Sequence, residues 1–464
     1  MKNEIVRCIC TDMTVEGHGI ARNEGGLVLF VKGLLTGEEA DVKIISHKKN
    51  VAYAIIDRLI TPSPYRCESA CPVAYKCGGC DLRHMSYEGQ LQYKKKTVEN
   101  TLHSAGLSLK VRDVIGADLL DRYRDKAQVP FHDGALGYYR RFSNDIVEEK
   151  DCLLQSERVN AILQCVKEEA LKDHLAASFR HILVREGKKT NEIMVGLIVR
   201  EDISKRTDRL VRVLTEHFPQ IVSVILNINT RNDNVILGEK EILLYGRDYL
   251  EDELDGLRFR ISFRSFYQIH PYQAEKLYAV VRELGEVSKE DRVFDLYCGI
   301  GTISLYLARY AKEVIGIEIV DAAVKNAEEN AKLNGIENAR FYCRDAKEDL
   351  RPYLKDCDLL VVDPPRKGLA PRLIESLKEI PVKKIVYVSC NAATFARDLK
   401  LLEGHYEISE VQPVDMFPQT VHIETVCALS KLSEAKHHIS LQVDMDELDV
   451  AAAESKATYH EIQD

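Results

Sequence analysis

Tryptophan is absent from this chain of 464 residues, and proline and methionine are rare, with 13 and 6 residues. Hydrophobic residues still make up 45% of the chain, which excludes a disordered protein and is typical of a globular protein with two or three domains. Runs of about 18 consecutive apolar residues are also missing, so no segment is predicted to span a membrane. Residues 1–7 lack the apolar stretch of a signal peptide, and we therefore expect a cytoplasmic protein.

Positive charge is in deficit, since the formal net charge is −9. This balance argues weakly against a nucleic-acid partner, but it averages over the chain and can hide a basic face on one domain. Part of the deficit lies in residues 441–464, which are rich in Asp and Glu. Cysteine, by contrast, is abundant, with 13 residues. In a cytoplasmic protein this odd number indicates reduced thiols, a metal centre or a nucleophile rather than disulfides.

The spacing of apolar residues changes along the chain and divides it into regions. Short β-branched runs separated by glycines fill residues 1–60 and predict a five-stranded barrel of the OB type, which either binds nucleic acid or is purely structural. Residues 61–262 contain a cysteine-rich loop, a helix at about 86–105 and then mixed strands and helices, which predicts an α+β middle domain. In residues 263–430 strands alternate with helices, which predicts a doubly wound α/β sheet. Residues 431–464 are predicted to form an acidic tail.

A glycine-rich loop follows the first strand of the predicted α/β sheet and precedes a helix. Gly299 and Gly301 let the backbone approach a ligand, and Glu318, at the end of the next strand, has the spacing of a carboxylate that binds ribose hydroxyls. Ser304 stands where the dinucleotide fingerprint has its third glycine. The loop therefore favours a nucleoside without pyrophosphate, such as S-adenosylmethionine, over NAD.

Two later segments place reactive groups at strand ends. The rigid Asp363-Pro-Pro turn follows the fourth strand, and such turns line the pocket between cofactor and base in nucleic-acid methyltransferases, although the turn could merely end the strand. Cys390 follows a buried apolar run, at the edge where open α/β sheets hold ligands. It is a candidate nucleophile or, alternatively, a buried structural cysteine. Glu424 lies in a partly apolar segment that would raise its pKa, so it is a candidate base.

A cysteine-rich loop is the candidate metal centre. Cys71, Cys77 and Cys80 lie within ten residues, and Cys152 is the candidate for a fourth ligand because it follows a polar turn. The spacing favours a zinc site and an iron–sulfur cluster equally, and four thiols without a metal are the remaining alternative. Cys67 is an additional nearby thiol that could replace Cys71.

Taken together, these motifs resemble those of the RNA uracil-5-methyltransferase family, specifically its bacterial 23S rRNA branch with an N-terminal TRAM barrel. The similarity spans residues 5–430. The motifs that carry it are Gly17-x-Gly-Ile-Ala-Arg22, Cys71-x5-Cys77-x2-Cys80 with Cys152, Ser265-Phe-Tyr-Gln268, Asp295-Leu-Tyr-Cys-Gly299, Asp363-Pro-Pro-Arg366, Ser389-Cys-Asn391 and Asp415-Met-Phe-Pro418 through Glu424.

The resemblance implies a fold, a reaction and a set of site residues. The fold is a Rossmann-like class I methyltransferase domain combined with a TRAM barrel. The reaction transfers a methyl group from S-adenosylmethionine to C5 of a uridine in RNA, with Cys390 as the nucleophile that attacks C6 and Glu424 as the base. The resemblance further implies a [4Fe-4S] cluster on Cys71, Cys77, Cys80 and Cys152, and cofactor contacts from Gln268, Tyr297, Glu318 and Asp363.

The expected partner is RNA, in which the target uridine must be flipped out of its stack to reach such a pocket. Basic segments at 122–126 and 138–142 carry aromatic residues and suit RNA binding, although a solvated charged face explains them equally well. The resemblance favours 23S rRNA. A uridine in tRNA remains an alternative substrate, and a non-catalytic iron–sulfur protein that binds RNA is an alternative function.

Overall fold

The computed structural model describes residues 2–23, 25–141 and 143–432. The acidic tail predicted at 431–464 lies outside these residues except at its first two positions. None of the helices in the described ranges is long and apolar enough to cross a membrane. The domain boundaries proposed from the sequence stay predictions.

The N-terminal strands close into a five-stranded barrel, as the glycine-separated apolar runs predicted. Buried and exposed residues alternate along the strands, so that one side of each strand faces an apolar barrel core. The neighbour order is β1-β2-β3-β5-β4, in which β3 and β5 are parallel. The strands are β1 (Ile5–Met13), β2 (His18–Arg22), β3 (Val28–Lys32), β4 (Glu39–Lys48) and β5 (Val51–Thr61).

A single long helix, α1 (Tyr87–Ser104), follows the cysteine-rich loop. The hydroxyl of Ser86 accepts a hydrogen bond from the amide of Gly89 and so caps the first turn. Val98 and Leu102 are buried in an apolar cluster with residues of the C-terminal sheet. The helix therefore packs on the C-terminal region, although it precedes the middle domain in the chain.

The middle region is a seven-stranded sheet with the order β12-β11-β10-β9-β6-β7-β8, together with a separate hairpin. The strands β9 and β10 are buried along their whole length because both faces of the sheet are covered. The elements are β6 (Lys126–His132), β7 (Ala135–Tyr139), β8 (Ile146–Glu148), α2 (Glu157–Lys172), a 3₁₀ turn (Ala176–Ser178), β9 (Phe179–Glu186), β10 (Ile193–Val199), a 3₁₀ turn (Ser204–Arg206), α3 (Asp208–His217), β11 (Ile221–Ile228), β12 (Lys240–Gly246), and the hairpin β13 (Tyr249–Leu254) and β14 (Leu257–Ser262).

The C-terminal region is an eight-stranded sheet with the order β17-β16-β15-β18-β19-β22-β20, in which β21 also pairs with β22. Strands β15 to β19 are parallel, so their carboxyl ends meet at one edge, and β22 runs antiparallel beside β19. The elements are α4 (Pro271–Gly285), β15 (Arg292–Leu296), α5 (Thr302–Ala308), β16 (Glu313–Glu318), α6 (Asp321–Leu333), β17 (Ala339–Cys343), α7 (Arg351–Leu354), β18 (Leu359–Val362), α8 (Pro371–Glu379), β19 (Lys384–Ser389), α9 (Ala392–Leu402), β20 (Tyr406–Ile408), β21 (Gln412–Val414) and β22 (Glu424–Lys431).

Candidate active site

The glycine loop lies between β15 and α5, at the carboxyl edge of the parallel strands. Gly299 and Gly301 have φ angles of 56° and 84°, in the left-handed region that favours glycine. A Cβ at Gly301 would also lie 3.0 Å from the ring of Phe341. The amide of Gly299 donates to Oε2 of Glu318 over 3.2 Å. This contact holds the Glu318 carboxylate at the end of β16 beside the loop.

Two acidic side chains lie at the ends of neighbouring strands of this edge. Asp295 is the buried penultimate residue of β15, and Asp363 directly follows β18. Burial raises the pKa of each carboxyl to about 7. The Ser304 hydroxyl donates to Oδ2 of Asp295 over 2.5 Å, whereas Oδ1 has no partner within the described residues. A sheet edge with three carboxylates and one unpartnered oxygen fits a cationic nucleoside that supplies hydroxyl and ammonium donors, as S-adenosylmethionine does.

Two further candidate cofactor residues, Tyr297 and Gln268, lie in separate segments of the chain. Tyr297 belongs to the glycine loop, where its φ angle is 68° and its amide donates to the Ile317 carbonyl over 2.9 Å. Gln268 is buried in the segment between β14 and α4. In that segment, the Ser265 hydroxyl accepts a hydrogen bond of 2.9 Å from Asn326 of α6. The segment that carries Gln268 is thus attached to helix α6 of the C-terminal region.

Cys390 and Glu424, distant in the chain, are brought to neighbouring strands by the sheet. Cys390 directly follows β19, and Glu424 begins β22, its antiparallel neighbour. Ser389 lies opposite Thr425, and the Thr425 hydroxyl donates to the Ser389 carbonyl over 3.1 Å. Cys390 lines a cavity of about 480 Å³ together with Arg366 and other residues. A thiol and a carboxylate at one sheet edge can act on the same substrate.

Burial and neighbouring charges set the protonation of this pair. Burial raises the pKa of Cys390 to about 11, and the charges of Glu424 and Asp363 act in the same direction. Arg366 opposes them by favouring the thiolate. Burial, aided by Asp363, also raises the pKa of Glu424 well above its usual value. Burial therefore disfavours the charged forms of Cys390, Glu424 and Asp363, and Arg366 offsets part of this effect on Cys390.

The four predicted metal ligands meet at one cavity of about 110 Å³, which Cys71, Cys77, Cys80 and Cys152 all line. Cys67 is not among the described residues at this cavity, and its thiol faces the Arg83 carbonyl 3.7 Å away. No three Cys, His, Asp or Glu side chains in the described residues are placed to hold a single metal ion.

The thiols of this cavity already receive hydrogen bonds. The amide of Gly79 donates to Sγ of Cys77 over 3.3 Å, and Nε of Arg83 donates to Sγ of Cys80 over 3.4 Å. Such donors stabilise thiolates that bind a metal centre. A cubane cluster gives each thiolate its own iron, so its ligands need not converge on one point.

Comparison with known proteins identifies the chain. Residues 86–432 match the family model described as tRNA (Uracil-5-)-methyltransferase, and residues 1–56 match the TRAM domain. The chain belongs to the tRNA (uracil-5-)-methyltransferase family. It is therefore an S-adenosylmethionine-dependent RNA uracil-5-methyltransferase, and the alternative of a non-catalytic binding protein is wrong.

Individual relatives agree with this assignment. A Bacillus cereus protein (strain ATCC 10987) described as an uncharacterized RNA methyltransferase is 42% identical over 451 residues, which cover 93% of this chain and 98% of that protein. A Clostridium tetani protein with the same description is 37% identical, covering 94% and 98%. The crystal structure of Pyrococcus abyssi tRNA (uracil-54, C5)-methyltransferase in complex with S-adenosyl-L-homocysteine superposes with a TM-score of 0.75 at 28% identity, covering 91% of this chain and 99% of that chain.

Two residues of the methyltransferase site had no role in the sequence interpretation. Arg366 follows the Asp363-Pro-Pro turn, and its carbonyl accepts hydrogen bonds from Asn391 (3.0 Å) and Thr394 (3.2 Å), which join this turn to the Cys390 loop. Asp295 entered that interpretation only as the first residue of the glycine-loop motif. A charge at the end of an otherwise apolar strand was the signal that could have identified it.

The segment from Asp415 to Glu424 is anchored by a buried ion pair. Nζ of Lys94, on α1, donates to Oδ1 of Asp415 over 2.6 Å, and both side chains are fully buried. The Tyr87 hydroxyl donates to the other carboxylate oxygen over 3.0 Å. Gln90 and Gln419 exchange hydrogen bonds of 2.9 and 3.1 Å. Helix α1 thus positions the segment that leads to Glu424.

Removing the cation of this pair should destabilise the enzyme strongly. Lys94→Met leaves the Asp415 carboxylate buried without its partner, so we expect the free energy of unfolding to fall by about 3–5 kcal/mol. Urea unfolding followed by circular dichroism measures it. The matched control is Lys96→Met, which breaks the exposed pair of Lys96 with Asp12 and should change stability by at most about 1 kcal/mol. Equal effects of the two substitutions would contradict the anchoring role.

Proposed function

We propose that this enzyme methylates C5 of a flipped-out uridine in 23S rRNA through a covalent adduct between Cys390 and C6, which Glu424 resolves. The observation that carries the proposal is the antiparallel pairing of β19 with β22, which sets the thiol and the carboxylate at one edge. Arg124 and Arg366 line the same cavity and supply positive charge for RNA phosphates. The expected cytoplasmic location suits an RNA substrate and stays a prediction.

The chemistry requires both groups because C5 of uracil is a weak nucleophile. Addition of the Cys390 thiolate to C6 makes an enolate, whose C5 attacks the methyl group. Bound S-adenosylmethionine supplies that methyl on a positively charged sulfur. The guanidinium of Arg366 opposes the raised pKa of Cys390 and so favours its thiolate. Glu424 then takes the proton from C5, and the bond between Sγ and C6 breaks.

The raised pKa of Glu424 suits its proposed step. A carboxylate whose pKa is raised accepts a proton more readily than an ordinary carboxylate does. Burial and the charge of Asp363 both move the Glu424 carboxyl in that direction. An ordinary exposed glutamate would be a weaker proton acceptor.

S-adenosylmethionine is proposed to bind beside the glycine loop, at the carboxyl edge of the parallel strands. Gly299 and Gly301 would admit the ligand close to the backbone, and Glu318 would accept hydrogen bonds from the ribose hydroxyls. Asp363 would lie between cofactor and base, and Gln268 and Tyr297 would complete the contacts. The orphaned oxygen of Asp295 supports a ligand with donors at this position.

Loss of the Glu318 carboxylate should weaken cofactor binding. Because a charge-assisted hydrogen bond contributes about 1.5–3 kcal/mol, Glu318→Ala should raise the Kd for S-adenosylmethionine about 10- to 150-fold. Isothermal titration calorimetry measures this change. Glu313→Ala is the matched control, because Glu313 begins the same strand and makes only surface ion pairs, so its Kd should be unchanged. An unaltered Kd in folded Glu318→Ala would remove this contact from the proposal.

A [4Fe-4S] cluster on Cys71, Cys77, Cys80 and Cys152 is the second part of the proposal. The shared cavity and the donors to the Cys77 and Cys80 sulfurs support this ligand set over one that contains Cys67. The cluster would hold the loop at 71–80 against the turn that carries Cys152, and this loop borders the barrel. Its proposed role is therefore to position RNA-binding surfaces rather than to take part in methyl transfer.

The substrate is tested by mapping 5-methyluridine in cells with and without the gene. The resemblance to the bacterial 23S rRNA branch favours loss of a methylated uridine from 23S rRNA. The similarity to a tRNA (uracil-54, C5)-methyltransferase at 28% identity supports the alternative, loss from tRNA. A methylated uridine lost from tRNA alone would replace the rRNA proposal, and unchanged 5-methyluridine in both RNAs would refute the proposed function.

A further inference from the structure

A third cavity, of about 390 Å³, lies between the barrel and the cysteine-rich loop. The barrel contributes His18 and Lys32, and the loop contributes Tyr75 and His84. Its volume falls within the range of about 300–1,000 Å³ found for small-molecule sites. We name it the barrel cavity.

Two imidazole rings in the wall of the barrel cavity have nitrogens without partners. Nε2 of the buried His84 and Nδ1 of the half-buried His18 make no hydrogen bond within the described residues. Nε2 of His84 lies 3.9 Å from where a Cβ of Gly33, another wall residue, would stand. Buried polar atoms are usually satisfied, so these two nitrogens are available to a ligand with complementary donors and acceptors. Burial lowers the pKa of both rings, to about 4 for His84, so each ring offers one donor and one acceptor.

The rim of the cavity adds a cation and an aromatic ring. The ammonium of Lys32 donates to the Tyr75 carbonyl over 3.2 Å, and no carboxylate among the described residues lies within 4.0 Å of it. Arg66, by contrast, is neutralised by Glu38, and Arg83 by Asp121 at 2.5 Å. The Tyr75 side chain is 64% exposed although it is large and apolar. An uncompensated cation beside an exposed tyrosine suits a phosphate attached to a stacking base.

The barrel cavity adjoins the cavity of about 480 Å³ that Cys390 lines, which we name the catalytic cavity. Glu16, Asp81 and Arg141 line both of them. Arg141 is ion-paired with Asp81, and this pair forms part of the shared wall. An RNA strand that places one nucleotide beside Cys390 can therefore place a nearby nucleotide in the barrel cavity.

We infer that the barrel cavity binds an unstacked base of the substrate RNA, near the target uridine in the same strand. The unpartnered nitrogens of His84 and His18 hydrogen-bond the edge of this base, Tyr75 stacks on its face, and Lys32 contacts its phosphate. The inference rests on the proposed methylation of RNA and adds a second position at which the enzyme reads its substrate. Selectivity then depends on a base that is not itself methylated.

The test uses a fragment of the RNA in which the methylated uridine has been mapped. The two bases on each side of that uridine are replaced, one at a time, by an abasic ribose. KM and kcat are measured for the wild type, Tyr75→Leu and His84→Leu. Tyr245→Leu is the matched control, because Tyr245 is also exposed (43%) but lies on β12 of the middle sheet.

At one of these four positions, the abasic ribose should raise KM about 5- to 150-fold for the wild type and leave kcat nearly unchanged. Tyr75→Leu and His84→Leu should raise KM for the intact RNA similarly, and the same abasic position should then add little. Tyr245→Leu should behave as the wild type. If every abasic position changes KM by the same factor in the wild type, Tyr75→Leu and His84→Leu, the inference is overturned. Tyr75 is exposed, so its variant decides the question even if His84→Leu does not fold.

Failure of the proposed function has a different signature, namely that the wild type forms no 5-methyluridine in any RNA. The barrel cavity is then tested by binding alone. Total RNA from cells without the gene is the probe, and its retention by Tyr75→Leu is compared with that by Tyr245→Leu. Retention reduced about 5-fold or more supports the inference, and equal retention overturns it.

Discussion

Replacing Glu424 by glutamine should trap the methylated RNA on the enzyme. The Cys390 adduct and methyl transfer remain possible, but without the base the C5 proton stays and the bond between Sγ and C6 cannot break. Turnover should fall about 10²- to 10⁴-fold. A denaturing gel should show a slow protein–RNA band that carries label from the methyl group of S-adenosylmethionine.

The controls for this experiment separate the two catalytic roles. Cys390→Ala should neither methylate nor cross-link RNA, and the double variant should show no band. Cys427→Ala, combined with Glu424→Gln, is the matched cysteine control. Cys427 is buried in the neighbouring strand β22, so this double variant should show the same band as Glu424→Gln alone. Wild-type turnover by Glu424→Gln, or a band that survives loss of Cys390, would show that the assigned roles are wrong.

Protein purified without oxygen should be brown and contain iron and sulfide. Four thiols that line one cavity, with amide and guanidinium donors to their sulfurs, match the ligands of a [4Fe-4S] cluster. Cys71→Ser should lose most of the iron and the visible absorption, because one of the four ligands is removed. Removal of iron by a chelator should also lower thermal stability, since cluster binding and folding are coupled.

Cys67→Ser is the matched control, because Cys67 belongs to the same loop but not to the cavity. This variant should keep the colour and the iron content of the wild type. Loss of the cluster in Cys67→Ser but not in Cys71→Ser would show that Cys67, and not Cys71, is the ligand. A colourless protein with stoichiometric zinc would refute the cluster.

Much of the fold could be predicted because local patterns encode it. The largely apolar segments at 292–296 and 384–389 predict two strands of the α/β sheet, and β15 (Arg292–Leu296) and β19 (Lys384–Ser389) have these bounds. The apolar period also predicts a helix over 208–217, and α3 (Asp208–His217) has these bounds. After the glycine loop the sequence predicts a helix over 303–310, whereas α5 spans Thr302–Ala308, because a helix end has a weaker signal than its apolar face.

The candidate site was only partly predictable. Cys390 and the Asp363 turn could be found because each stands at the end of an apolar strand. No local pattern reveals that Arg366 influences the Cys390 thiol, or that Lys94 pairs with Asp415 inside the protein. These interactions join distant parts of the chain, and distant contacts leave no periodicity in the sequence.

By itself, the sequence determined the barrel, the doubly wound sheet, the glycine loop and the residue types suited to uracil methylation. Local apolar periodicity and turn chemistry suffice for the barrel, the sheet and the glycine loop, whereas the residues for uracil methylation follow from the resemblance to the family. Only the tertiary structure decided that β22 lies beside β19, that Cys71 rather than Cys67 lines the cysteine cavity, and that a further cavity adjoins the catalytic one. Strand order and cavities arise from the packing of whole elements, in which many distant contacts act together.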